Sequence, residues 1–234
     1  VTTASGNDVT RFVTLSFDNG PDAEVTPRVL DVLARRGIKS SFFAIGKQLG
    51  DAAARRVLAR AKDEGHWVGN HSWNHEIPIG EDEREDTVER EIVATEKLLA
   101  EIGCATRLFR PFGGGGRLGP HLLSVAAREY LARHGYTCVT WNCVPRDWVD
   151  QDGWVPTALA MCAREPEALV VIHDYVAGSM RHLDRFCGEL VDAGHTLRQA
   201  FPESCLPMRE GVAQPGLDAI TTLSPPASLS APSR

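Results

Sequence analysis

No run of about 18 apolar residues occurs anywhere in the chain, which excludes a membrane-spanning helix of ordinary length. Positive charge is in the minority, with 25 Lys and Arg against 31 Asp and Glu and a net charge of −6. That balance argues against a protein that binds nucleic acid or an anionic membrane by neutralising phosphates. Cysteine is scarce: six residues, none in a C-x-x-C pair, are too few for a disulfide scaffold, so free thiols in a reducing compartment are the simplest expectation and disulfides the alternative. Residues 1–10 are polar and lack both a basic n-region and an apolar h-region, so the sequence carries no secretory signal. A cytoplasmic location is expected, with a trimmed mature product as the alternative. Glycine (21) and proline (14) are near average, which excludes collagen and wholesale disorder. What is present, 234 residues with 43% hydrophobic side chains, suffices for one domain with a substantial core.

Glycines punctuate the chain. Gly37, Gly65, Gly103, Gly135 and Gly194 each close an amphipathic stretch, where a left-handed cap is expected, and each precedes a strand-like run. The runs are 38–44, 66–70, 107–110, 136–142 and 195–198; with 11–17 and 168–173 they make seven strands, each but the last followed by a helix. Thr26 before Pro27 reads as an N-cap with proline at the first helical position, and Asp51 as the cap of a second helix ending at Glu64. Pro120 opens a helix to Leu131, Pro156 a short one, and Ser179 one to Val191. The longest helix spans 84–102, with Val88, Ile92, Thr95, Leu99 and Ile102 on one side. Strict β/α alternation implies a parallel sheet covered by helices, either doubly wound or closed into a barrel. Residues 1–10 are expected to form an N-terminal extension and 11–206 the single folded domain. The last 28 residues, from Pro207, hold five prolines and four serines without periodicity and are expected to be a disordered tail.

Reactive side chains recur just after the strands, at the carboxyl ends where parallel α/β folds build their sites. Asp18 leaves an apolar strand into Asn19-Gly20-Pro21. His71 and His75, four apart, can share one metal ion, although such a pair is weak evidence alone and the H-E-x-x-H order is absent. Arg110 and Asp147 stand at neighbouring strand ends, where they can pair, and His173 ends the apolar run 168–172. Gly114-x-Gly116-x-x-Gly119 formally matches a dinucleotide fingerprint, but Arg110-Pro111 precedes it, Pro120 follows it and the distal acidic residue is missing. An active-site loop explains it more simply.

Together these segments resemble the NodB-homology polysaccharide deacetylases, carbohydrate esterase family four, over about residues 11–200. The family's T-F-D-D-G-P is represented by Ser16 to Pro21, its G-N-H-(S/T)-x-x-H by Gly69 to His75 and its R-x-x-x-G by Arg110 to Gly114. Its D-W is Asp147-Trp148, and its hydrophobic-x-H is Val171 to His173. The resemblance implies an incomplete (β/α)₇ barrel, in agreement with the seven strands counted independently, and a hydrolase that removes the acetyl group of an N-acetylated sugar, oligosaccharide or polysaccharide. It implies Asp18 as general base toward the attacking water, and a divalent ion, zinc or a similar metal such as cobalt or manganese, on His71, His75 and the position of Asn19. Arg110 and Asp147 would orient and tune Asp18, and His173 would protonate the leaving amine. The backbone N–H of Gly113 would steady the oxyanion; Trp148 and Val171 would line the acyl pocket.

Two departures stand out. Asn19 replaces the family's second aspartate, its third protein metal ligand; an amide oxygen is neutral and a poorer zinc ligand than a carboxylate. Gly113 stands where relatives often carry an aromatic residue, which removes a substrate contact and widens the loop. Two other readings therefore accompany the deacetylase: a related hydrolase of a small amide, imide or formamide, and a metal-poor, carbohydrate-binding pseudoenzyme. Residues 81–101 hold nine acidic and three basic side chains. This excess is expected to lie on a solvated helix away from the catalytic face.

Overall fold

The computed structural model describes residues 11–222. Strands and helices alternate along the first part of the chain: β1 (Arg11–Asp18), α1 (Val25–Arg35), β2 (Ser41–Ala44), α2 (Ala52–Asp63), β3 (Trp67–Asn70) and α3 (Ala94–Glu101), the last entered through a π-helical segment, Glu89–Val93. There follow β4 (Leu108–Phe109), β5 (Leu123–Ser124), α4 (Val125–Arg133), β6 (Thr137–Cys138), α5 (Trp154–Cys162) and β7 (Glu167–His173). The chain continues through α6 (Ala177–Met180), α7 (Leu183–Asp192), β8 (His195–Leu197), β9 (Met208–Arg209), β10 (Val212–Ala213) and β11 (Thr221–Thr222).

All seven expected strands are present, in parallel, in a sheet ordered β10-β9-β6-β4-β3-β2-β1-β7. The sheet curls until Cys143 bridges Val170 of β7, giving an incomplete barrel of the NodB type. The Asn142 side chain closes the seam by donating to the Glu167 carbonyl and accepting from the Leu169 N–H. β8 does not extend the sheet beyond β7. It pairs with Arg11–Val13 of β1, while β2 pairs with Ser16–Asp18 and β7 runs alongside Phe12–Asp18.

Alternation along β1 divides its work. Val13, Leu15 and Phe17 join the apolar layer with Leu30 and Leu33 of α1, Leu58 of α2 and Phe186 and Leu190 of α7. Each such fully buried side chain contributes about 1.5–3 kcal/mol. Thr14, Ser16 and Asp18 take the opposite, polar face, and that face reaches the site.

The five expected glycine caps all have positive φ, from 65° at Gly37 to 86° at Gly65. Helix starts differ more. Thr26 lies inside α1; Asp22 accepts the Glu24 and Val25 N–H groups instead, and Thr26 donates to Asp174. Asp51 caps α2 as expected. Pro120 opens only a short 3-10 turn, and Ser124 caps α4.

The tail expectation fails for residues 207–222. Met208 pairs with Cys138 of β6, a two-residue Glu210-Gly211 turn with both φ positive joins β9 to β10, and β11 pairs with β5. Met208, Leu217 and Ile220 are buried against Leu122, Leu131 and Tyr136. Its apolar residues are isolated between prolines, so no helical or strand period advertises this packing. The 1–10 extension and the remainder of the tail, 223–234, lie outside the described residues.

Candidate active site

At the carboxyl ends of the barrel strands lies a cavity of about 230 Å³, lined by Asp18, Asn19, His71, His75, residues 112–116, Trp141, Val144, Trp148, Val171, His173 and Tyr175. Every site residue expected from the sequence lines it except Arg110 and Asp147, which stand behind the lining. The glycine run is thus part of the site wall.

Arg110 is fully buried and stretched across the barrel interior. Its Nη1 donates to Asp18 Oδ1 at 2.7 Å and to Ser16 Oγ at 2.8 Å; Nε and Nη2 donate to the Val139 and Thr140 carbonyls. The guanidinium carbon lies 4.0 Å from the centre of the Phe43 ring. Burial alone pushes the Asp18 carboxyl up, but Arg110, then His71 and His173, outweigh it and hold the group below the ordinary carboxylate range. Asp18 is therefore ionised at neutral pH.

His71 Nδ1 is 2.8 Å from the Arg110 carbonyl oxygen. A carbonyl only accepts, so Nδ1 carries the proton and Nε2 presents a lone pair. That Nε2 lies 3.5 Å from Asp18 Oδ2. Burial, partly opposed by Asp18, lowers the pKa of His71, and burial with His71 as neighbour lowers that of His75 to about 3, so both imidazoles are neutral. The two ring centres are 4.8 Å apart, and Asn19 Oδ1 is buried without a hydrogen-bond partner. Two neutral imidazoles and an unpartnered amide oxygen thus line one cavity, a set of donors that a cation satisfies. Among the described residues no group of three His, Cys, Asp or Glu side chains converges. The donor set is two imidazoles and the Asn19 amide, with Asp18 beside them, and it fits a divalent ion.

Asp147 does not touch Asp18 or Arg110, contrary to the role expected for it. Its Oδ1 is 2.8 Å from His173 Nδ1, and its Oδ2 accepts the His173 N–H and Ser179 Oγ at 3.1 Å each. Burial lowers the pKa of His173, but the Asp147 hydrogen bond and charge, with Asp18 and Asp174, raise it above the ordinary histidine value. With Nδ1 engaged, Nε2 is the free nitrogen of a ring that lines the cavity. The Trp148 ring meets it edge to face, 4.7 Å away.

Gly113 does not widen the loop. The Trp141 indole fills the room a Cβ would need, and its Nε1 donates to the Gly116 carbonyl. Trp141 and Tyr175 were not singled out by sequence, nor was Asp174. The Asp174 carboxylate accepts from Thr26 and occupies the space against Gly20, so only glycine fits there. Burial pushes its pKa up to about 7, with the Thr26 bond opposing. Glu91 was misread. It belongs to the acidic run but is buried, with its carboxylate under the His71–His75 loop. Of the five non-glycine residues with positive φ among the described residues, four (Asn19, Ser72, His75 and Arg146) stand in these loops, so backbone strain concentrates around the cavity. All six cysteines are buried free thiols.

Comparison with known proteins agrees with this fold. The family model Polysaccharide deacetylase matches residues 5–139. Peptidoglycan-N-acetylglucosamine deacetylase PgdA of Listeria monocytogenes is 28% identical over 185 residues, 78% of this chain and 36% of that protein. The chain thus spans about a third of the length of that relative. The chitooligosaccharide deacetylase of Rhizobium leguminosarum bv. trifolii is 33% identical over 170 residues, covering 70% of this chain and 72% of that protein. A family 4 carbohydrate esterase from Streptomyces lividans, solved with acetate, superposes with a TM-score of 0.67 at 25% identity, over 86% of this chain and 98% of that one.

Proposed function

The chain belongs to the polysaccharide deacetylase family, and from that premise we propose that it hydrolyses the N-acetyl group of an N-acetylglucosamine-containing glycan, releasing acetate and a free amine. The observation that carries this reading is the pairing of Asp18 with His173 as register partners on adjacent strands, both opening onto one cavity beside His71, His75 and Asn19. Amide cleavage needs a proton removed from water and another delivered to nitrogen, and these two side chains are suited to opposite halves of that exchange.

Family members generally depend on a divalent metal ion, and here His71, His75 and Asn19 would hold it, with zinc the proposed occupant. When bound, the ion supplies positive charge that polarises the acyl oxygen and makes the attacking water more acidic. Asp18, kept ionised by Arg110, accepts the proton of that water. His173, kept protonated by Asp147, delivers a proton from Nε2 to the departing nitrogen. Val171, Trp148 and Trp141 give the cavity an apolar wall suited to the acetyl methyl, and residues 113–116 bring bare backbone to its rim.

The test is acetate release from chito-oligosaccharides, muropeptide fragments and small amides, by wild type and Asp18→Asn. Wild type is expected to act on the acetylated sugars, and the variant to lose at least about 10²–10⁴-fold, the usual contribution of a general base. Wild-type rates in the variant overturn the mechanism; turnover of small amides alone moves the substrate assignment.

A further inference from the structure

Glu91 is a buried acidic residue, at 4% exposure, and it lies in the π-helical segment Glu89–Val93. One carboxylate oxygen, Oε2, accepts the backbone N–H groups of Trp73 at 3.0 Å and Asn74 at 2.9 Å. The other, Oε1, accepts the Asn74 side-chain amide at 3.1 Å and Arg90 Nη2 at 3.2 Å. Four donors thus converge on one carboxylate, and two of them are consecutive backbone groups of the loop between His71 and His75.

The two histidines are anchored unequally. The His71 backbone bonds to Ala44 and its ring to Arg110, at the end of a paired strand. His75 has φ 57° at the far end of the loop, and its ring rests on Phe112 with centres 3.9 Å apart. The residues just before it, Trp73 and Asn74, are those that Glu91 grips. The wider π turn also frees the Ile92 carbonyl to accept Asn70 Nδ2 at 2.9 Å, while Asn70 Oδ1 accepts the Ser72 N–H. One irregular helical turn therefore holds the loop at residues 70, 73 and 74.

We propose that Glu91 is the positioning residue that sets His75 against His71 and so fixes the spacing of the imidazole pair for a divalent ion. This inference rests on the metal reading above but concerns a residue that touches neither substrate nor ion. Removing partners that orient metal-binding histidines lowers metal affinity by about 10–100-fold.

Calorimetric titration of the metal-stripped protein with Zn²⁺ alone tests it, with no substrate present. Glu91→Ala is expected to bind zinc 10–100-fold more weakly, and Glu91→Gln, which keeps one oxygen for the backbone pair, to recover part of the loss. Asn74→Ala, which removes one of the two Oε1 donors and leaves the backbone pair, serves if Glu91→Ala does not fold. Saturating zinc is expected to restore kcat in folded Glu91 variants but not in Asp18→Asn, a split that a loss of general stability does not produce. Zinc affinity equal to wild type in folded Glu91→Gln and Asn74→Ala overturns the proposal. A wild-type protein that takes up no zinc overturns the metal reading itself, a separate result.

Discussion

The two sides of the cavity are built by different means. On the side proposed to accept a proton, Asp18 and Arg110 both emerge from paired strands, and Arg110 spends its donors on Asp18, Ser16 and two carbonyls inside the barrel. On the side proposed to donate one, His173 also ends a strand, but its partner Asp147 arrives from the irregular stretch between the Cys143 seam and α5. Asp147 is held there by His173 itself and by Ser179. One side is fixed by the sheet, the other by mutual hydrogen bonds between a strand end and a loop. Charge balance on the accepting side is thus a matter of folding, whereas on the donating side it is a matter of tuning.

The largest expected effect tests the accepting side. Arg110→Met leaves the Asp18 carboxylate buried without its main partner, and breaking such a pair from one end costs about 3–5 kcal/mol. Urea unfolding checks this; a variant within about 1 kcal/mol of wild type would show that the sheet, not the ion pair, holds Asp18. The next tests the donating side. Because Asp18 titrates below the ordinary carboxylate range and His173 above the ordinary histidine value, the pH–rate profile is expected to be a bell with its alkaline limb above about 6.5. Asp147→Asn removes the negative charge that helps raise His173 and leaves a neutral acceptor on Nδ1, so burial weighs more against the protonated ring. The alkaline limb then moves to lower pH, and kcat falls about 100-fold. An unmoved limb would mean that Asp147 only shapes the loop. The smallest effect lies between the two sides: Asn19→Asp adds a carboxylate to the donor set and is expected to tighten zinc binding about tenfold by titration, since ligand charge sets cation affinity. Unchanged affinity would remove Asn19 from the donor set.

Much of the site was legible because its residues sit at strand ends, where sequence punctuation is strongest. Asp18 before Gly-Pro, the histidine pair after a short apolar run and His173 at the close of 168–172 each stand at a recognisable boundary. What sequence missed depends on long-range closure. Asp147 binds His173 rather than Asp18 because the barrel seam brings its loop to β7, and no local pattern records which strand end a loop will meet. Glu91 hid among eight other acidic residues of 81–101, since a carboxylate satisfied by loop N–H groups looks, in sequence, like one satisfied by water. The 207–222 segment was misjudged because its apolar residues serve separate contacts and so share no period.

The ladder between β1 and β7 pairs seven consecutive residues, from Phe12 with Glu167 to Asp18 with His173. Its last rung is the proposed proton acceptor and the proposed proton donor. Adjacent strands sit about 4.8 Å apart, and a slip of one residue would turn one of the two side chains to the far face of the sheet. The alignment of the two groups is therefore written as a register, stored redundantly in six further rungs, of which only Ser16–Val171 reaches the cavity. Core substitutions along the other five rungs, from Phe12 with Glu167 to Leu15 with Val170 and at Phe17 with Ile172, become a means of changing how the two groups are aligned without altering either.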